Sequence, residues 1–344
     1  MRDIAVVAFA QSQHSFSDLG WNEADLVTPL VNEVLAQTGL SRADIGFTCS
    51  GSNDYLVGTP FSFVAALDTI GAWPPISESH VEQDGAWAMY EAWVRLQHGD
   101  VDVALVYGFG KGTVGDYAGI SSLSYDPYHV APLFPGHVGM AGLQARALKD
   151  AGFDVDPDPV PPPPTDGAAA VLLAAGDVAR RVRSRPAWIR GLDHRIEPHA
   201  IGVRDLTRSE STRQAAVRAG VSAGPVDLAE LHARFEHEEP LLRKELGLAD
   251  DVVVNASGGP RKADPIMATG LIRIGEAAAR IHDGSARRTV AHATSGPCLQ
   301  HNLVCVLEAG DVVDAADAAE ADVREADVRE ADVREADVRE AGVN

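Results

Sequence analysis

The chain has 344 residues, with 45% hydrophobic and 23% charged side chains, a composition that supports a large apolar core. Fifty acidic residues against 29 basic ones give a net charge of −21, which argues against a general nucleic-acid binder, because neutralising phosphates needs clustered Lys and Arg. No apolar run reaches the roughly 20 residues needed to cross a bilayer, and MRDIAVVAFA lacks the basic start and long apolar stretch of a secretory signal. The three cysteines, Cys49, Cys298 and Cys305, form no CxxC; a reducing, cytoplasmic compartment fits better than a disulfide framework or a zinc site.

In chain order, IAVVAFA (4–10) reads as a buried strand. Residues 22–38 read as a helix with Leu26, Leu30, Val31, Val34 and Leu35 on one side. IGFTCSG (45–51) is a second strand, 61–71 is helical, and HV (80–81) closes a short strand. A helix over 83–98 ends at Gly99, and strands follow at 101–110 and 167–175. Between those two strands lies a long excursion, 111–166, of the kind that forms a lid or binding loop. Its end, DVDPDPVPPPPT (154–165), is a stiff extended connector, because four consecutive prolines continue neither a helix nor a central strand.

The order then repeats. Strands are expected at 188–196, 226–235, 252–259, 288–296 and 302–310, with helices at 208–219, near 239–246 and at 265–283. Gly85 and Gly270 lie near the starts of corresponding helices and Gly99 and Gly284 end them, both pairs 185 residues apart; Asp44 and Asp227 are 183 apart. Strand–helix alternation with short loops predicts mostly parallel sheets covered by helices, used twice. The divisions read as 1–182, 183–310 and a tail, 311–344, which carries 12 acidic and four basic residues and four copies of Ala-Asp-Val-Arg-Glu. A period of five spirals the valines around a helix without a stripe, so the tail reads as low-complexity, with an acidic docking tail as the alternative.

Ligands in such sheets sit beyond the carboxyl ends of strands and at helix N-termini. Four places qualify: Glu82 and Asp84 beside Gly85; His232 in ELHARF; the turn NASGGPRKADP with Ser257, Gly258, Gly259 and Asp264; and HATSGPC with His292, Thr294, Ser295 and Cys298. Each also has a structural reading. Acidic residues favour helix N-termini. His232 alone can be a hydrogen-bonded core histidine, and Asp264 before Pro265 suits an N-cap. Cys298 has no adjacent basic partner to make it a thiolate. The histidines show no metal-ligand spacing, so no metal is expected.

Taken together, SRADIGFTCSGS, SHVEQDGAWAMYEAWVRLQHGD, TDGAAAVLL, ELHARF, NASGGPRKADPIMATG and AHATSGPC resemble the thiolase superfamily, nearest its sterol-carrier-type and nonspecific lipid-transfer branch. The resemblance implies a five-layer αβαβα fold of two pseudo-repeated halves and a homodimer. It also implies an acyl-CoA or lipid ligand, with coenzyme A as part of the substrate rather than a bound cofactor. Carried over by position, Glu82 occupies the slot of the nucleophilic cysteine, with Asp84 close by. His232 is retained, and Asp264 replaces the histidine that would activate the nucleophile. The second cysteine falls within 292–298, where Thr294 matches and Cys298 is displaced. Ser257, Gly258 and Gly259 are the expected coenzyme A contacts, and the loop region before TDGAAA is shorter than in the family.

Three functions compete on this reading. The first is a retro-aldol C–C lyase of lipid or steroid degradation working with an OB-fold partner, its base drawn from Glu82, Asp84, His232 or His292. The second is a non-catalytic acyl-CoA- or lipid-binding or scaffold subunit. The third is residual acyl transfer through Cys298.

Overall fold

The structure, a computed structural model, describes residues 2–310; the expected tail lies outside the described residues. The first half runs β1 (Ile4–Gln11), α1 (Glu23–Thr38), β2 (Phe47–Gly51), α2 (Asp54–Val57), α3 (Leu67–Ile70), β3 (Glu78–Val81), α4 (Gly85–His98), β4 (Val103–Lys111), α5 (Tyr117–Leu123), α6 (Gly136–Asp150) and β5 (Asp166–Ala175). The first half ends with α7 (Gly176–Val182), which packs on β1 and β5, and the second runs β6 (Ala187–Ile196), α8 (Glu210–Ala219), β7 (Leu228–Leu231), α9 (Glu238–Leu246), β8 (Val253–Val254), α10 (Gly259–Lys262), α11 (Thr269–His282), β9 (Arg288–Ser295) and β10 (His301–Ala309).

Local chemistry sets the helix limits. Asn22 and Asp25 form a capping box at the start of α1, and Gly39 ends it in the left-handed region. Asp84 caps α4, and Gly99 ends it at φ 82°. The buried side of α1, Leu26, Val27, Leu30, Val31, Val34 and Leu35, follows helical spacing.

The strands join in the order β3-β2-β4-β5-β1-β6-β10-β9-β7-β8. Each half contributes five strands, and the second five mirror the first across a join of only two residue pairs between β1 and β6. The helices α1 and α3 cover the outer face of the first five strands, and α8 and α9 cover the outer face of the second. Between the two sets of strands lie α4 and α11, packed on each other in the largest apolar cluster, to which β1, β2, β4, β5, β6, β9 and β10 all contribute. The result is five layers, αβαβα.

The expectation of mostly parallel sheets is corrected. Only β2 with β3 and β4, and β7 with β8 and β9, are parallel; β4–β5, β1–β5, β1–β6, β6–β10 and β9–β10 are antiparallel. Residues 296–300 alone connect β9 to β10, too short for a parallel crossover, which needs a dozen or more. The expected strands 226–235 and 252–259 shrink to Leu228–Leu231 and Val253–Val254: beyond β7 the chain turns so that His232, Arg234 and Phe235 line a cavity, and beyond β8 it turns at Asn255, which stands at φ 52°. The helical stretch 61–71 is a short turn followed by the four-residue α3. The excursion 111–166 contains two helices, α5 and α6, that the sequence reading did not place.

Glycine sets how closely the middle layer packs. A Cβ on Gly85 would come within 2.9 Å of Leu271, and one on Gly270 within 2.6 Å of the Asp84 carboxylate. The two glycines matched by their 185-residue spacing therefore stand where the central helices meet.

Candidate active site

The N-termini of α4 and α11 open onto one cavity of about 310 Å³. Its floor holds Asp84, His232, Asp264 and Thr294; its walls include Glu82, Arg234, Phe235 and Glu238. The excursion closes the far side with Tyr117, Tyr125, His137 and Met140 from α5, α6 and the turn between them.

Asp84 is buried at the point where the two central helices converge. Its Oδ1 accepts from the amides of Ala86 (2.8 Å) and Leu271 (3.0 Å), and its Oδ2 accepts from Gly270 (2.9 Å). One carboxylate thus satisfies orphan amides of both helices and meets both positive dipole ends. Burial pushes its pKa up, while His232 and the three amides oppose that shift.

Asp264 is 2% exposed. Its Oδ2 accepts from Arg234 Nε at 2.6 Å and its Oδ1 from Thr269 Oγ1 at 2.8 Å; His232 Nε2 stands 3.7 Å from Oδ1. Burial works against the charge, but the Arg234 guanidinium, His232 and Thr269 hold the carboxyl well below the usual carboxylate range. In turn the Arg234 pKa is held above its ordinary value: burial opposes the charge, but Asp264 and Tyr117 outweigh it. Arg234 Nη1 donates to the Tyr117 hydroxyl at 2.7 Å.

His232 follows directly on β7. Its Nδ1 accepts from the Thr294 amide at 3.4 Å, so the network assigns the ring proton to Nε2, on the side facing Asp264. His232 is therefore a donor at the floor. Glu82 is exposed at the cavity edge, where Oε1 accepts from the Asp54 amide at 2.7 Å. Partial burial of the carboxyl raises its pKa against the opposing pull of the Asp54 amide, a direction that suits a base. On the excursion side, His137 makes no hydrogen bond through its buried Nδ1 among the described residues. Burial, with the Arg234 charge, lowers its pKa to about 4, so it is neutral near pH 7.

The remaining sequence candidates lie apart from this floor. His292 is fully buried outside the cavity lining; its Nε2 pairs with Asn302 Oδ1 at 3.0 Å, and burial lowers its pKa to about 3. Ser257, Gly258 and Gly259 also lie outside the lining. Ser257 Oγ instead joins the buried Glu230–Arg273 ion pair, donating to Glu230 Oε2 at 2.7 Å and accepting from Arg273 Nη1 at 2.6 Å. Cys298 does line the cavity, but its thiol is buried beside the Met140 carbonyl and its pKa is pushed up to about 12 by burial. Burial raises Cys49 to about 12 and Cys305 in the same direction. Among the described residues no group of three or more His, Cys, Asp or Glu could hold a metal ion, and no helix is long and apolar enough to cross a membrane.

Sequence reasoning missed Tyr117, Arg234, His137 and Glu238. Arg234 stands two residues after His232 and so faces the same way if the strand continues, which was a usable signal. Tyr117 and His137 had none, because the excursion shows no internal repeat of the second half.

No family model matches the sequence. Over 162 residues, 40% of this chain, it is 29% identical to an acetyl-CoA acetyltransferase of Methanothermobacter thermautotrophicus; the match spans 42% of that relative's length. Human mitochondrial 3-ketoacyl-CoA thiolase superposes with a TM-score of 0.68 at 14% identity, covering 90% of this chain and 99% of that one. The same human enzyme in complex with CoA superposes with a TM-score of 0.66 at 14% identity, covering 90% and 98%. The fold is the layered α/β fold of the thiolases.

Proposed function

We propose that this chain is a sulfur-independent member of the thiolase superfamily that binds an acyl-CoA thioester in the 310 Å³ cavity. It cleaves the bond between the α and β carbons of a β-hydroxyacyl group by acid–base chemistry, as a retro-aldol lyase. One observation carries this reading: every thiol among the described residues is buried, while a carboxylate, an imidazole donor and a buried ion pair line one cavity. The fold shared with a thiolase solved with CoA supports the ligand class.

Glu82 takes the proton of the β-hydroxyl. The carbon–oxygen bond becomes a carbonyl, the Cα–Cβ bond breaks, and its electron pair passes to the thioester as an enolate. His232 Nε2–H donates to the enolate oxygen, which is the charge that develops in the transition state. No covalent nucleophile is required. We read the shortened excursion as leaving the nucleotide end of coenzyme A to be completed by a homodimer mate or an OB-fold partner.

Asp84 favours a second reading, a non-catalytic acyl-CoA-binding subunit, because its carboxylate occupies the amides that would otherwise hold an enolate oxygen. Acyl transfer through Cys298 finds no support in a thiol raised to about 12. The readings separate in one assay. The purified protein, with any co-purifying partner, is given β-hydroxyacyl-CoA, and the shortened acyl-CoA and released aldehyde or ketone are measured by mass spectrometry. Cleavage is expected, with His232→Ala slower by about 10²–10³, the usual loss of one oxyanion donor. Calorimetric binding of the thioester with no product establishes the binding subunit instead.

A further inference from the structure

Retro-aldol cleavage leaves an enolate that must gain a proton at Cα, and neither Glu82 nor His232 is assigned that step. We propose that Tyr117 is the catalytic acid that delivers it. This inference rests on the lyase reading but is carried by a separate set of contacts.

Tyr117 opens α5 and stands in the cavity wall contributed by the excursion. Its hydroxyl oxygen accepts from Arg234 Nη1 at 2.7 Å. Among the described residues the hydroxyl proton has no acceptor, so it remains for a ligand. The Tyr117 ring is fixed on two sides: the Arg234 guanidinium carbon lies 5.0 Å from its centroid, and the His137 ring centroid lies 4.6 Å away. Arg234 is fixed in turn by Asp264 at 2.6 Å. The ion pair thus holds a cationic donor against the phenol oxygen before any charge appears there. That is the preorganised arrangement that stabilises a developing anion.

The step balances within the site. The enolate electron pair takes the hydroxyl proton, a C–H bond forms at Cα, and the Tyr117 O–H bond breaks. The phenolate charge that results faces Arg234. The proton that Glu82 removed from the β-hydroxyl, relayed by solvent, restores the phenol. No oxidant, reductant or further co-reactant enters.

By microscopic reversibility, the same pair removes a Cα proton from the shortened acyl-CoA product. The protein is therefore incubated with a saturated acyl-CoA in D₂O, and deuterium at Cα is followed by mass spectrometry while binding is measured by calorimetry. Wild-type protein is expected to exchange. Tyr117→Phe, which keeps the ring against His137, is expected to lose about 10²-fold or more in exchange with the dissociation constant unchanged within about twofold, a split that a merely structural role would not give. Exchange by Tyr117→Phe at the wild-type rate overturns the assignment, as does a wild-type protein that binds the thioester without exchanging. Exchange needs no C–C cleavage. A wild-type protein that exchanges but cleaves no β-hydroxyacyl-CoA therefore overturns the lyase reading alone and leaves Tyr117 as the Cα acid.

Discussion

Asp264 and Arg234 make a buried pair whose members depend on each other. Asp264 has three partners, Arg234, Thr269 and His232, and only Arg234 brings a permanent charge. Removing the guanidinium leaves an uncompensated carboxylate at a position 2% exposed. Arg234→Ala is therefore expected to destabilise the fold by about 3–5 kcal/mol, read as a lower urea midpoint with an unchanged slope; a loss under about 1 kcal/mol would show that the pair is solvated. His232, Asp264 and Asp84 were legible in the sequence because each sits beside a turn or glycine that marks a strand or helix end. Arg234 was signalled only by its spacing of two from His232 and Tyr117 by nothing, because their roles come from one contact between residues 117 positions apart, and no local pattern encodes such a contact.

The same distinction holds for elements. The alternation of strands and helices, the helix ends at Gly39 and Gly99, and the paired glycines 85 and 270 all follow from local backbone chemistry and could be read directly. Strand direction could not, since it depends on how far the chain travels between strands: the five residues 296–300 force β9 and β10 to run antiparallel. Close approach in the middle layer is also a tertiary fact. A Cβ at Gly110 of β4 would stand 1.7 Å from the Ile266 carbonyl oxygen, which is backbone and cannot swing away. Gly110→Ala is expected to cost about 1–3 kcal/mol, as overpacking does, and to weaken thioester binding, because Ile266 and Met267 line the cavity. Thermal unfolding and calorimetry on this variant measure the two effects; a melting temperature equal to wild type would mean that the turn yields freely.

Over the whole molecule, burial keeps imidazoles neutral in several layers. His137, His237, His282 and His301 are lowered to about 4 and His292 to about 3, in each case first by burial, from an ordinary 6.5. Above pH 6.5 these groups are neutral in both folded and unfolded chains. Below it the unfolded chain takes up protons that the folded chain refuses until near pH 4, so stability falls across that window. The depressed Asp264 carboxyl adds a further loss once pH drops below 3.8, its ordinary value. Urea midpoints are expected to decline steadily from pH 7 to 4.5, and a flat profile would contradict the burial of these rings. The shared cap formed by Asp84 has a consequence for how the molecule opens. Because one side chain holds the amides of Ala86, Gly270 and Leu271, neither middle helix can fray at its start without freeing the other, so these three amides are expected to exchange with deuterated solvent at a common rate.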